Sequence, residues 1–304
     1  MNILRKLATS LMFLSAAGAA AAADGNRALG WGSLFSNDAL GDGKDRWRSA
    51  ALVVSHVRGD GWTGQLPDRF GALVEYRFRT EMITPVNVAS PSASDRRYVG
   101  ALSFGAHTHF QKGATEMSAG LDFVFVGPQT NVDQLQDSFH GLFESASVNV
   151  DGFQVENAVY PTLTFEAGRK FDVGATGALR PFVEVQAGAE TLARIGADVT
   201  FGSFGQGALM LRDNPTGQRY SGIAGDAPLG TSLVLGGDVA YVADSQYLDQ
   251  AGITHKDMRA RLRAGVHQQL RRGAVFYGVT YLSEEYDSQP EGQVVGSLSA
   301  RLKF

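Results

Sequence analysis

The sequence predicts an all-β protein: a transmembrane antiparallel up-and-down β-barrel of about 12 strands, with a short helix in an external loop. Three observations lead there. Segment after segment alternates apolar and polar residues with a period of two, the mark of a strand with two unlike faces. The segments run about 10 to 13 residues, which suits a tilted membrane crossing better than an ordinary globular strand. Their charges sit on the face opposite the apolar one, as a polar lumen behind a lipid-facing wall requires.

The elements follow in order. Residues 1–23 read as a secretory signal, with Arg5 and Lys6 before the apolar run Leu7 to Ala16 and small residues from Ala19 to Ala23. Residues 24–304 are then the barrel. No later stretch offers the roughly 20 apolar residues of a membrane helix, so any crossing is made by strands. The first half places strands near 28–36, 48–58, 69–81, 97–109, 114–126 and 157–170. The second half adds 179–192, 194–205, 231–243, 257–270, 273–285 and 293–304. In the third, Val74, Tyr76 and Phe78 oppose Glu75, Arg77, Arg79 and Glu81; in the tenth, Ala260, Leu262 and Ala264 oppose Arg259, Arg261 and Arg263. The last strand alternates Val294, Gly296, Leu298, Ala300 and Leu302 with polar residues and stops on Phe304, like the C-terminal strand of bacterial outer-membrane barrels. Twelve strands leave a narrow lumen, which Arg259, Arg261, Arg263, Glu166, Glu184 and Glu190 are expected to fill as ion pairs.

One segment breaks the strand rhythm. After Gly127-Pro128, residues 132–143 read as an amphipathic helix, with Val132, Leu135, Phe139, Leu142 and Phe143 on an apolar stripe and Gln136 and His140 on another face. An ordered helix in a barrel loop usually covers or builds something.

Composition narrows the function. With 27 Lys+Arg against 31 Asp+Glu there is no basic surplus for a nucleic acid. Zero cysteine removes disulfides, thiolate metal sites and thiol nucleophiles together. Gly-x-Ser-x-Gly, His-Glu-x-x-His, P-loop and dinucleotide patterns are absent. His107 and His109 share a strand face, a pattern open to a metal but more simply lumen-facing polar residues. Ser36-Asn37-Asp38-Ala39-Leu40, followed by Asp42 and Asp45, offers the hard oxygen ligands calcium prefers, without the order of an EF-hand; read by itself it is equally a polar turn.

These segments, in this order, resemble the lipid A 3′-O-deacylase (LpxR-like) family of outer-membrane barrels. Asn37-Asp38 is similar to the family's Asn-Asp at the end of the first strand. Asp45-Arg46-Trp47-Arg48-Ser49-Ala50-Ala51 is similar to its Asp-Arg-Tyr-Tyr-Thr-Asn-Gly motif, and Asp95-Arg96-Arg97-Tyr98-Val99-Gly100 to its Asp-Arg-Pro-Tyr-Ala-Gly stretch. Gly127-Pro128, Gln136 and His140 match its helical loop. The motifs cover the chain to about residue 145. The family's lysine would fall near Ser90, its glutamate beyond the histidine has only Glu144 nearby, two positions early, and Arg48 and Ala50 replace a tyrosine and an asparagine.

The resemblance implies a calcium-dependent esterase of the bacterial outer membrane that removes the 3′-linked acyloxyacyl group from lipid A. It assigns His140 as the general base on water, Gln136 and Ser49 as residues that order the site, and Asn37 and Asp38 as holders of Ca2+. Lipopolysaccharide and outer-membrane lipids are the expected partners, and a monomer the expected state. Two other readings stay open: a non-catalytic structural or channel-type barrel, and a deacylase of another outer-leaflet lipid.

Overall fold

The computed structural model describes residues 27–92, 94–143, 148–248, 250 and 252–302, with the side chains of 139–143 left aside. The signal segment, Glu144 and Phe304 lie outside the described residues. The strands are β1 (Arg27–Asn37), β2 (Trp47–Gly59), β3 (Leu73–Thr84), β4 (Val99–Lys112), β5 (Thr115–Val126), β6 (Ala158–Arg169), β7 (Phe171–Val173) and β8 (Gly177–Ala187). They continue with β9 (Glu190–Phe201), β10 (Leu209–Arg212), β11 (Arg219–Ile223), β12 (Gly230–Ser245), β13 (Met258–Leu270), β14 (Gly273–Leu282) and β15 (Gln293–Leu302). The helix α1 is Val132–Phe143, over the residues the sequence assigns to it.

Thirteen strands form one sheet in which β1 pairs with β15 and β6 with β8, so the wall closes. Setting aside the three-residue β7, twelve described strands make the wall, each pairing antiparallel with its neighbours. Closure removes every free strand edge, the condition for placing a sheet in lipid. The parity predicted from sequence decides which side faces what. Leu262 is 64% exposed while its neighbours Arg261 and Arg263 are 5% and 4% exposed. Ile195, Leu163, Phe123 and Tyr76 likewise cover the outside. The barrel is apolar without and charged within, the inverse of a soluble core.

Inside, the charges neutralise one another. Asp238 meets Arg194 at 2.5 Å and Arg261 at 2.9 Å, and pairs with Arg263 as well. Arg212 spans Asp198 at 2.8 Å and Glu166 at 2.6 Å, and Arg180 links Glu166 to Glu116. Arg259 reaches Glu190 at 2.8 Å, and Arg194 reaches Glu184 at 3.4 Å. The six lumen charges named from sequence are all in ion pairs. His109 lies 2.8 Å from Glu75 and His107 3.0 Å from Asp122, so both histidines are lumen-facing and carboxylate-paired.

The sequence reading leaves residues 206–230 without structure, and here the fold adds something. They form the hairpin β10–β11, which folds into the lumen. Leu209, Leu211, Tyr220 and Ile223 pack against the inward residues Leu34, Val53, Val57 and Leu73. A Cβ at Gly32 would sit 2.4 Å from the Ser221 carbonyl oxygen, so glycine there lets the hairpin backbone lie directly on the wall. Asp213-Asn214-Pro215-Thr216-Gly217 is a turn signature that points to this hairpin. Beside it remains a cavity of about 1090 Å³, reaching from His107 and His109 to Trp62 and Leu229.

The two ends of the barrel differ. One carries the two-residue turns 113–114 and 271–272, with the connection 60–72 and the stretch 202–229 whose hairpin folds back into the lumen. The other carries residues 38–46, 85–98, 127–157 and 283–292, and with them α1. Barrels of this class keep short turns toward the periplasm and long loops outside, so α1 sits at the outer rim.

Candidate active site at the outer rim

Asn37 ends β1, and its side chain turns the chain. Oδ1 accepts from the Ala39 N–H at 2.9 Å, capping the 3-10 turn Asp38–Leu40, while Nδ2 donates to the Ser49 carbonyl at 3.1 Å across the β1–β2 pair. The turn folds over β14 and β15. The Asp42 N–H donates to the Val294 carbonyl at 3.0 Å, and the Tyr277 hydroxyl to the Leu40 carbonyl at 2.8 Å. Asp38 is thereby buried, 2% exposed, and its carboxylate accepts the Arg46 N–H at 3.0 Å. Burial, and then the neighbouring Asp45 charge, push its pKa up to about 8, against the opposing backbone hydrogen bonds from Arg46 and Ala39 and that of the Ser49 hydroxyl.

Ser49 is placed by a β-bulge. Arg48 pairs with Ile83 and Ala50 with Met82, leaving Ser49 as the extra residue. The slip turns Arg48 into the lumen, where it meets Glu285 at 2.7 Å, Glu81 at 3.0 Å and Glu190 at 3.5 Å. It frees Ser49 from the ladder, and its hydroxyl donates to Asp45 Oδ1 at 2.6 Å. The arginine that replaces the family's tyrosine is thus a lumen residue with three carboxylate partners.

Helix α1 closes the site from outside. Gly100, on β4, faces its first turn: a Cβ there would lie 2.8 Å from both Thr130 Oγ1 and Val132 Cβ. The Gly100 carbonyl accepts from the Gly127 N–H and the Thr130 hydroxyl, each at 3.2 Å. The helix therefore starts in contact with the outer wall. Both of its stripes reach protein: Val132, on the apolar one, is as buried as Gln136 on the polar one. Gln136 is 2% exposed and Leu135 43% exposed. Gln136 Nε2 reaches Asp45 Oδ1 at 3.5 Å, the oxygen that also holds Ser49. His140 follows Gln136 by one helical turn; of its side chain nothing is described here.

Of the five residues chosen from sequence, Asn37, Asp38, Ser49 and Gln136 therefore come together at one point of the rim, and α1 carries His140 there. Sequence reasoning offered Asp45 only as one of several oxygen ligands, not as the carboxylate at which Ser49 and Gln136 meet, and gave no role to Tyr98, buried beneath α1. Both stand inside quoted motifs, but a carboxylate that bridges two loops has no pattern of its own. Ser90 lies exposed in the 85–98 loop, where its N–H donates to Asn87 Oδ1 at 3.0 Å. Among the described residues no three His, Cys, Asp or Glu side chains gather as a metal cluster. Asp38 and Asp45 are the neighbouring carboxylates beside Ser49 and Gln136.

A closed strand wall, an apolar exterior, a charged lumen and a polar site at the rim define a bacterial outer-membrane barrel. The chain belongs to the LpxR family: the model of the family described as outer membrane protein LpxR matches residues 7–304. Among solved structures, LpxR from Salmonella typhimurium superposes with a TM-score of 0.74 at 15% identity, over 90% of this chain and 99% of that one. The β domain of the Bordetella autotransporter BrkA covers 92% of this chain and 99% of its own at 13% identity, with a TM-score of 0.39. No curated protein matches the sequence directly.

Proposed function

We propose that this barrel is a calcium-dependent hydrolase that removes the 3′-linked acyloxyacyl group from lipid A in the outer leaflet. One observation carries the reading: Ser49 and Gln136, from the wall and from the covering helix, meet on one carboxylate beside buried Asp38, at the outer rim where a glycolipid approaches from the membrane. Family membership supports the class of reaction.

The residues fit a calcium ion. Two neighbouring carboxylates lie at the site, and the Asp38 carboxyl is driven toward its protonated form by burial and by Asp45, which a cation would reverse. Asp38 would hold the ion with Asp45 beside it, and Asn37 fixes the turn on which Asp38 stands. Bound there, calcium would supply positive charge to the ester oxygen as it becomes anionic.

The protein's own groups do the rest. His140 takes the proton of the attacking water, a task for which imidazole is suited near neutral pH. Gln136, one turn away on α1, orients the water. Ser49 holds Asp45 in place through its hydroxyl. Leu135 and the outer wall give the acyl chains an apolar surface. The filled lumen does not favour a channel: β10–β11 and the arginine–carboxylate pairs occupy it.

Mass spectrometry of lipid A from cells expressing the protein tests the proposal. We expect loss of the 3′-linked acyloxyacyl group with calcium present, abolished by His140→Ala while heat-modifiable folding is kept. Unchanged lipid A under a properly inserted barrel would sink it, and release of fatty acid from phospholipid instead would reassign the substrate.

A further inference from the structure

Among the described residues, the seam between α1 and the wall holds buried polar atoms with no hydrogen-bond partner. Tyr98 is fully buried, and its hydroxyl has no hydrogen-bond partner. Gln136 Oε1 and Gln154 Oε1 are buried and unpartnered as well. The three belong to one place. Tyr98 and Gln154 are bridged through the backbone, with the Tyr98 N–H donating to Phe153 and the Val155 N–H to Tyr98, both at 3.0 Å. Gln154 Nε2 donates to Asp133 Oδ2 at 3.0 Å. Asp133 precedes Gln136 by three residues, so both stand on the helix stripe that continues to His140. The charges of Asp133 and Asp45 both bear on the Tyr98 phenol and, with burial, raise its pKa, which keeps it a donor.

A buried donor and two buried acceptors along one seam, with no partner among the described residues, are costly in a native protein, and ordered water is the usual remedy. We propose that this seam is a built water site, in which a buried water accepts the Tyr98 hydroxyl proton and donates to Gln136 Oε1, and that Tyr98 is thereby a positioning residue for the Gln136–His140 stripe. The water's second hydrogen serves Gln154 Oε1 or a flanking carboxylate, giving it the three bonds typical of buried water. A direct bond from Tyr98 to a carboxylate would fix only the wall. A water shared with Gln136 sets the side chain that orders the reacting groups.

The effect on rate rests on the deacylase reading; the water site does not. The test is therefore double. Crystal structures of the full chain and of Tyr98→Phe, in detergent with calcium, should show a water within hydrogen-bond distance of Tyr98 Oη and Gln136 Oε1 in the wild type and none in the variant. On lipid A in mixed micelles, Tyr98→Phe should lower kcat about tenfold, the loss of one hydrogen bond in an ordered network, with KM unchanged. A Tyr98 hydroxyl bonded directly to Asp45 or Asp133 with no water overturns the site. A variant that loses the water but keeps wild-type kcat overturns the positioning role. A wild type inert toward lipid A condemns the deacylase reading and with it the rate effect, while its electron density still decides the water site.

Discussion

Ser49 Oγ donates to Asp45 Oδ1 at 2.6 Å, and this bond ties the bulge in the barrel wall to the turn that carries Asp38. A hydroxyl–carboxylate bond of this length is charge-assisted and out of bulk water, where such bonds count most. Ser49→Ala is expected to lower deacylation about tenfold, the scale of a hydrogen bond to a charged group. Ser49→Thr, which keeps the hydroxyl at the residue the family favours, should restore most of it. Initial rates on lipid A micelles check both, with heat-modifiability as the control for folding. Equal rates for all three proteins would remove Ser49 from the site.

Asp38 makes the site sensitive to pH in a definite direction. Its pKa in the folded protein, about 8, lies above the ordinary carboxylate value of 3.8. Between those values the folded state binds a proton that the unfolded state does not, so without calcium stability falls as pH rises from about 4 to about 8. Under the calcium proposal, the ion must displace that proton. Its affinity should therefore rise with pH up to about 8 and level off above, with proton release on binding near neutral pH. Calorimetry in buffers of different ionisation enthalpy measures the release. Asp38→Asn should abolish both the release and the pH dependence of binding.

Gly100 controls how closely α1 approaches the wall. A methyl group at this position would fall 2.8 Å from Thr130 Oγ1 and Val132 Cβ, both in the first turn of the loop structure. Gly100→Val is expected to lift the helix start, separate Gln136 from Asp45 and cost at least tenfold in rate, on the scale of the loss of a positioned group. The wall itself keeps its ladders, so the variant should still insert and migrate as a folded barrel. Protease cutting within 127–157 should increase.

The barrel was legible in the sequence because its two faces are unlike. Alternation fixed parity strand by strand, and Arg261-Leu262-Arg263 alone separates lumen from lipid. The hairpin β10–β11 was not, since four- and five-residue strands carry too little periodicity to stand out. At the rim, Asn37, Asp38, Ser49 and Gln136 were found through a resemblance rather than a pattern. Alternation alone would have put Ser49 on the face shared with Ala51 and Val53; the bulge that re-aims it appears only when β2 is paired with β3. The helix was placed to the residue, yet polar Gln136 is buried beside apolar Val132 while Leu135 stands exposed. An amphipathic sequence cannot say which of its faces meets protein when the surrounding solvent is lipid.

The lumen gives the last test, and it separates a filled barrel from a pore. Asp238 is the shared partner of Arg194, Arg261 and Arg263, and Asp198 joins Arg263 to Arg212 on the hairpin. Removing Asp238 leaves buried Arg261 without a carboxylate partner among the described residues and takes one of two from Arg194 and Arg263. Asp238→Ala is therefore expected to destabilise the barrel by about 3–5 kcal/mol, the scale of a broken buried ion pair, read as an earlier midpoint in urea unfolding from lipid vesicles. Deleting residues 207–225 acts differently. It removes the hairpin with Arg212 and Arg219 but leaves each wall strand paired with its two neighbours. The wild-type barrel should be silent in planar bilayers and the deletion should conduct, with the remaining acidic residues favouring cations. Rim chemistry on the outer wall should survive, since the hydrogen bonds that join Asn37, Asp38, Ser49 and Gln136 are made within the rim and not to the hairpin. Conductance by the wild type would instead revive the channel reading of the fold.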